Sequence, residues 1–200
     1  EYYDFCLKLG GFANISFDDI DNRIAFDICP VNIVLNYYTK KIGLEFDSSG
    51  SIAAEGVVNL SLLNELNELN FYQLGFPKSL GLEWVNTNII PIIDRYQLEV
   101  KNSLRTFVEH IAIQINLILQ QNPNASVLVS GGGVYNTFLM NRLRDLGRNK
   151  IIIPSEDIIE YKEALIFGLL GVLKLRGETN CLASVTGAKY NHSSGIIHSI

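Results

Sequence analysis

Apolar and polar positions alternate three times near the start of the chain. Phe5, Leu7 and Leu9 alternate with their neighbours until Gly10-Gly11 interrupts. The segment Ala13-Asn14-Ile15-Ser16-Phe17 resumes the pattern, Asp18, Asp19, Asp21 and Asn22 break it again, and Ile24, Phe26 and Ile28 close the series. Period-two alternation bounded by short turns predicts three strands in an antiparallel meander. Pro30 then opens a predicted helix over residues 31–41, with Ile33, Val34, Tyr37 and Tyr38 on its apolar side. A Gly/Ser/Asp-rich connection over 43–56 leads to a short amphipathic helix over 59–70, carrying Leu62, Leu63, Leu66 and Leu69. Residues 76–81 read as a loop. A strong helical period follows over 94–121, with Val100, Leu104, Phe107, Ile111 and Ile115 on one face, and Asn122-Pro123-Asn124 ends it. His110 inside that helix reads as a surface or core histidine.

The second half alternates helix and strand. A strand over 127–129 is predicted, then a glycine run, a helix to residue 146, a strand over 150–153 and a long helix over 159–176. This last helix is apolar almost all round over 164–173, which predicts burial, and Gly168 and Gly171 predict close packing. The tail from residue 185 is Gly/Ser/His-rich and poor in helix signals. Three antiparallel strands followed by alternating helices and strands give a mixed sheet covered by helices, an α/β fold.

Composition narrows the function. With 48% apolar and 18% charged residues the chain is globular rather than disordered. A net charge of -5 and no basic run argue against a nucleic-acid surface. Cys6, Cys29 and Cys181 are far apart and without CxxC spacing, which argues against a disulfide framework or structural zinc site and points to a reducing cytoplasm. The apolar run over 164–173 is too short to span a bilayer, and no signal peptide is visible. The chain begins at Glu1-Tyr2-Tyr3, without Met and inside a strand-like pattern, so it is expected to be part of a longer protein.

Three places carry candidate chemistry. Ser130-Gly131-Gly132-Gly133-Val134-Tyr135-Asn136 lies between a strand and a helix, where backbone N–H groups approach an anion closely. A ligand-free tight turn explains the same glycines. It is not a Walker loop, because no Lys-Ser/Thr follows, and Asn136 stands where a dinucleotide fingerprint needs its third glycine. Asp27 lies near a strand end, a few residues ahead of a helix, as a reactive carboxylate or a cap. Glu163 sits at the edge of the apolar run, either exposed or in need of a partner. Lys78 and Ser79 are an alternative anion site of lower weight, and His192 and His198 lack the spacing of a metal site.

Together the motifs resemble the anhydro-N-acetylmuramic acid kinase family, within the actin-like sugar kinases. The carrying segments are Leu9-Gly10-Gly11-Phe12-Ala13-Asn14-Ile15-Ser16, Phe26-Asp27-Ile28-Cys29-Pro30-Val31-Asn32, Phe76-Pro77-Lys78-Ser79-Leu80-Gly81-Leu82-Glu83, the glycine run with Leu139-Met140, Lys162-Glu163-Ala164 and Val185-Thr186-Gly187-Ala188. They occur in the family's order over almost the whole chain. One departure is clear: Cys29 and Val31 replace the glycines of the family's usual Asp-x-Gly-Pro-Gly-Asn.

The resemblance implies a ribonuclease-H-like, actin-like ATPase lobe over residues 1–200, the C-terminal half of a two-lobed enzyme. The last ~40 residues are then expected to pack toward the other lobe. It implies an ATP-dependent kinase that opens the 1,6-anhydro ring with water and phosphorylates the freed 6-oxygen, giving N-acetylmuramic acid 6-phosphate in recycling of cell-wall sugars. Asp27 is implied as the general base, and Asn32 and Glu163 as sugar-site residues. Gly11, Asn14, Gly131, Gly132, Gly133 and Asn136 are implied as ATP contacts. ATP and Mg²⁺ are the expected cofactors, no metal ligand is assigned in this chain, and a homodimer is allowed for. The isolated chain is expected to be inactive. A non-catalytic lobe of the same fold is the alternative.

Overall fold

The three alternating segments pair as the pattern predicts. In the computed structural model, which describes residues 2–20 and 22–198, β1 (Phe5–Leu9), β2 (Phe12–Asp19) and β3 (Asn22–Pro30) form an antiparallel meander. Asp21 of the expected second turn lies outside the described residues, as do Glu1, Ser199 and Ile200. On its other side β1 pairs in parallel with β4 (Ser126–Ser130), which pairs in parallel with β5 (Lys150–Ile152). The order β3-β2-β1-β4-β5 is a mixed sheet opened by a three-strand meander, the architecture the sequence led us to expect. β1 is its centre. Leu7, Leu9, Ile15, Val127 and Val129 are buried on one face, in a single core with Leu104, Phe107, Ile111 and Ile115.

The helices are α1 (Asn32–Lys40), α2 (Ser51–Ala54), α3 (Leu60–Asn67), α4 (Leu82–Trp84), α5 (Ile90–Arg95), α6 (Val100–Leu119), α7 (Thr137–Leu146), α8 (Glu156–Leu175) and α9 (Ala183–Thr186). Pro30 does not open α1. It ends β3 opposite Phe12, and the helix begins two residues later. The first N–H groups of that region are taken up by the β1–β2 turn: Val31 donates to the Gly11 carbonyl (2.8 Å) and Asn32 to that of Gly10 (3.2 Å). The long helix expected from residue 94 is divided. Asp94 lies in α5, and Gln97, at φ +50, breaks the chain before α6. Helix over residues 82–95 was not legible from the pattern. α4 runs through a π-helical turn (Val85–Ile89) into α5, and Pro91, which has no N–H to give, falls just after that turn.

The largest departure is α8. Its composition predicts burial, yet among its described residues only Ile159 is buried, while Leu165, Phe167 and Leu175 are 63%, 70% and 73% exposed. A Cβ at Gly168 or Gly171 would meet nothing within 4 Å. Apolarity on all sides shows that a helix needs cover, not that its own segment supplies it; the tail touches α8 at Leu170 and Lys174 and leaves most of its apolar side chains exposed. The tail, poor in helix signals, does form the single turn α9, docked on β3 through Ser184 Oγ donating to the Arg23 carbonyl (2.7 Å).

Two buried polar groups hold α6 in place. His110, fully buried, lies 2.8 Å from Tyr72 Oη and 2.7 Å from Asn67 Oδ1, and burial pushes its pKa down to about 3, so it is a neutral core histidine. Glu109 accepts from Arg105 on its own helix (2.7 Å) and from Arg142 of α7 (2.9 and 2.8 Å). Burial alone would raise this carboxyl's pKa, but the Arg142 and Arg105 hydrogen bonds outweigh it and hold the value below the usual 4.5. A depressed carboxylate adds stability above its unfolded pKa and loses it as pH falls through the folded one. Glu109→Gln is therefore expected to cost about 1–3 kcal/mol at neutral pH. Urea midpoints measured against pH should show the gap to wild type closing below pH 4.5, and a gap independent of pH would remove the ion pairs as its cause.

Candidate active site

The strand register gathers a row of polar side chains across the sheet. Lys8 of β1 stands opposite Asn14 of β2 on one side and Ser130 of β4 on the other. Asn14 in turn stands opposite Asp27 of β3. Residues paired directly across strands share a face, so Asp27, Asn14, Lys8 and Ser130 form one line on the face opposite Leu7 and Leu9. Asp27 joins this line in the register that runs unbroken from Asn14–Asp27 to Asp19–Asn22; just beyond it the register shifts, Ala13 pairing with Cys29 and leaving Ile28 as an extra residue. Such bulges re-aim side chains near sites.

Asp27 is partly buried and held at both oxygens. Asn14 Nδ2 donates to Oδ1, and the Leu80 N–H donates to Oδ2 at 2.7 Å. Its own N–H donates to the Lys78 carbonyl at 3.1 Å, so the 78–80 loop grips it from the edge of the sheet. Burial raises its pKa, and the Leu80 N–H opposes part of that. It caps no helix, since α1 has no side-chain cap. Lys78, a candidate anion ligand by sequence, donates to the Phe71 carbonyl (3.1 Å) and lies over the Phe71 ring; it closes the loop that holds Asp27.

The glycine run divides its tasks. Gly131 has φ +86, and a Cβ there would come 2.6 Å from the Leu9 carbonyl oxygen; one on Gly133 would come 2.6 Å from Leu9 Cβ. These two glycines let the turn lie against β1. Gly132 has nothing within 4 Å and faces open space. It borders two cavities. The first, of about 380 Å³, is walled by Gly10, Gly11 and Asn14 on one side and Gly131, Gly132 and α8 on the other. The second, of about 630 Å³, lies between α1, the 46–49 loop and residues 134–137.

Charge in the first cavity is paired. Lys8 Nζ is 2.6 Å from Glu163 Oε1, and this hydrogen bond, ahead of any other cause, lowers the Glu163 pKa. Lys162 Nζ donates to Ser130 Oγ at 2.5 Å, and burial, then the charge of Lys8, lowers its pKa. Glu160 accepts from Tyr135 Oη at 2.8 Å.

Gly11, Asn14, Gly131, Gly132 and Glu163 thus meet at the first cavity, with Asp27 joined to it through Asn14. Asn136 and Asn32 line the second. Asn136 also caps α7, its Oδ1 accepting from the Leu139 N–H at 3.0 Å, and Asn32, expected beside the sugar, is on the same side as Asn136 rather than at Asp27. Gly133 is buried against Leu9. Residues to which sequence reasoning assigned no role are Lys8 and Lys162 in the first cavity and the exposed Phe46 and Tyr135 in the second, although Lys162 and Tyr135 lie within quoted motifs. A lysine at the outward position just before Gly10-Gly11 was the available signal for the first. Among the described residues no group of three or more His, Cys, Asp or Glu is placed to hold a metal ion, and no helix is long and apolar enough to cross a membrane. Cys6, Cys29 and Cys181 are free.

A family model described as anhydro-N-acetylmuramic acid kinase matches residues 2–199. The anhydro-N-acetylmuramic acid kinase of Haemophilus influenzae is 35% identical over 211 residues, covering 96% of this chain and 55% of the relative. That of Psychrobacter arcticus is 32% identical over 225 residues, covering 96% and 50%. The chain spans about half the length of the curated relatives it matches. Among solved structures, (R)-2-hydroxyglutaryl-CoA dehydratase component A of Acidaminococcus fermentans has a TM-score of 0.50 at 13% identity, covering 82% of this chain and 59% of that one, a likeness of fold alone. With a match running from residue 2 to 199, and relatives of one description on both sides of 30% identity, the chain belongs to the anhydro-N-acetylmuramic acid kinase family.

Proposed function

We propose that this chain is the C-terminal lobe of a cytoplasmic ATP-dependent kinase acting on 1,6-anhydro-N-acetylmuramic acid. The observation that carries the reading is the cross-sheet row. It joins a carboxylate with a raised pKa, through Asn14, to a cavity walled by two glycine turns. In the reaction, Asp27 takes a proton from the water that attacks the anomeric carbon. The bond from that carbon to the 6-oxygen breaks, and the freed oxygen accepts the γ-phosphoryl group of ATP. Water is a poor nucleophile, so a carboxylate fixed at both oxygens, and made more basic by burial, suits the step.

The first cavity is assigned to the phosphates, which backbone N–H groups of Gly11, Gly131 and Gly132 approach without side chains in the way. The second suits the adenosine, with Phe46 and Tyr135 offering ring faces and Asn32 and Asn136 polar edges. Phosphoryl transfer relies on positioning and charge neutralisation, which Mg²⁺ supplies when bound. Glu160 and Glu163, the carboxylates lining the phosphate cavity, are each engaged by Tyr135 and Lys8, so this chain's donor set does not fit a metal site and no step is routed through one. The bare face of α8 is assigned to contact with the second lobe, in keeping with the half-length match.

Five outcomes test this reading. The full-length protein should convert anhydro-N-acetylmuramic acid and ATP to the 6-phosphate, and phosphorylation of other sugars alone would refute the substrate. Asp27→Asn should lower kcat by about 10²–10⁴-fold while nucleotide affinity by calorimetry stays near wild type. Because the base must be ionised and its pKa is raised, the wild-type rate should fall on acidification at a pH above 3.8, and Asp27→Asn should lose that limb. Gly131→Ala should lower the melting temperature, since its Cβ meets the Leu9 carbonyl, whereas Gly132→Ala should keep the melting temperature and weaken nucleotide binding. Equal melting losses would show that both glycines serve only the fold. The 200-residue chain alone should show no turnover in the same assay; robust turnover would mean that this half suffices.

A further inference from the structure

Lys8 occupies the middle of the polar row, between Asn14 and Ser130, one residue before the Gly10-Gly11 turn begins with Leu9 between them. β2 lies between it and Asp27, so the two are two strand spacings apart, about 10 Å. Its ammonium is spent on Glu163, yet the pair is open to solvent, with side chains 38% and 67% exposed. Exposed ion pairs of this kind contribute little and exchange readily. Both partners line the cavity that the two glycine turns enclose.

A second ammonium stands beside it. Lys162 is held by the neutral hydroxyl of Ser130, not by a carboxylate, and the charge of Lys8 depresses its pKa further. The other carboxylate of the cavity, Glu160, is committed to Tyr135. Positive charge is therefore crowded at one wall with a single carboxylate engaging it. A terminal phosphate, with more charge and three acceptor oxygens, competes for an ammonium better than one carboxylate does.

Resting on the kinase reading above, we propose that Lys8 is a catalytic residue that binds the terminal phosphate of the nucleotide, and that in doing so it gives up Glu163. The carboxylate is thereby released only when a nucleotide with its γ-phosphate is in place, and it becomes available to the sugar or its attacking water at that moment. Lys8 thus couples loading of the donor to assembly of the acceptor site. Lys162 stays on Ser130 and contributes fixed positive charge.

Calorimetry on the full-length protein without sugar tests this, using ADP and β,γ-imido-ATP. Lys8→Met is expected to weaken the imido analogue about tenfold and leave ADP unchanged, and Lys8→Arg to retain most of the wild-type preference. Glu163→Gln, which removes the competing partner, is expected to tighten the analogue about two- to fivefold, again without moving ADP. In the double variant the Glu163 substitution should have no further effect. An unchanged analogue-to-ADP ratio in Lys8→Met, or weaker analogue binding in Glu163→Gln, overturns the exchange. A wild-type protein that binds neither nucleotide overturns instead the kinase reading on which it rests. Glu163→Gln reads out independently should Lys8→Met fail to fold.

Discussion

The site depends on β1 being paired antiparallel to one neighbour and parallel to the other. β3, β1 and β4 then run in the same direction, and their carboxyl ends lie along one edge of the sheet. From that edge emerge the Gly10-Gly11 turn, the glycine run after Ser130 and the start of α1 after Pro30. In open α/β sheets the carboxyl ends of strands are where backbone groups are left to meet a ligand. The pairing of β1 also sets the polar row, because a slip of one residue would turn Lys8 into the core and Leu9 out to the cavity. Leu9 is the fixed point on the other face: it is fully buried, and both Gly131 and Gly133 are glycine because they pass so close to it.

What the sequence discloses is what depends on local pattern. The meander, the strand before the glycine run and most helices follow from alternation and turn residues, and the glycines mark themselves. Asp27 and Glu163 gained roles from family resemblance, not from spacing. Lys8 escaped notice because an outward lysine on a strand looks like any solvated lysine until its partner, 155 positions away, is known. The bulge at Ile28 was equally hidden, since register belongs to two strands at once. Asn32 is close to Asp27 in the chain, but the strand end and the helix start carry the two toward different cavities.

α8 marks a different limit. An apolar sequence states a demand for cover without naming what meets it. The helix ties its first two turns to the sheet and the glycine run through Lys162 to Ser130, Glu163 to Lys8 and Glu160 to Tyr135, while its following turns meet the tail, at Leu170 and Lys174, and keep one face exposed. The end bound to the sheet is the end at the first cavity, and the exposed face is the one assigned to the second lobe. One rigid element therefore touches both the cavity and the surface on which lobes would move.

Gly132 has a consequence for how such an enzyme can change over time. Among the described residues it alone borders both cavities; the other walls are the β1–β2 turn and α8 for one, and α1, the 46–49 loop and residues 134–137 for the other, tied across by the Asn32 N–H on the Gly10 carbonyl and by Tyr135 on Glu160. Away from those two ties, substitutions in one wall act nearly independently of the other. On the proposed assignment, preference for a nucleobase can thus drift through Phe46 or Asn36 while the phosphate grip stays intact, with Gly132, which has no side chain to alter, on the border between the two.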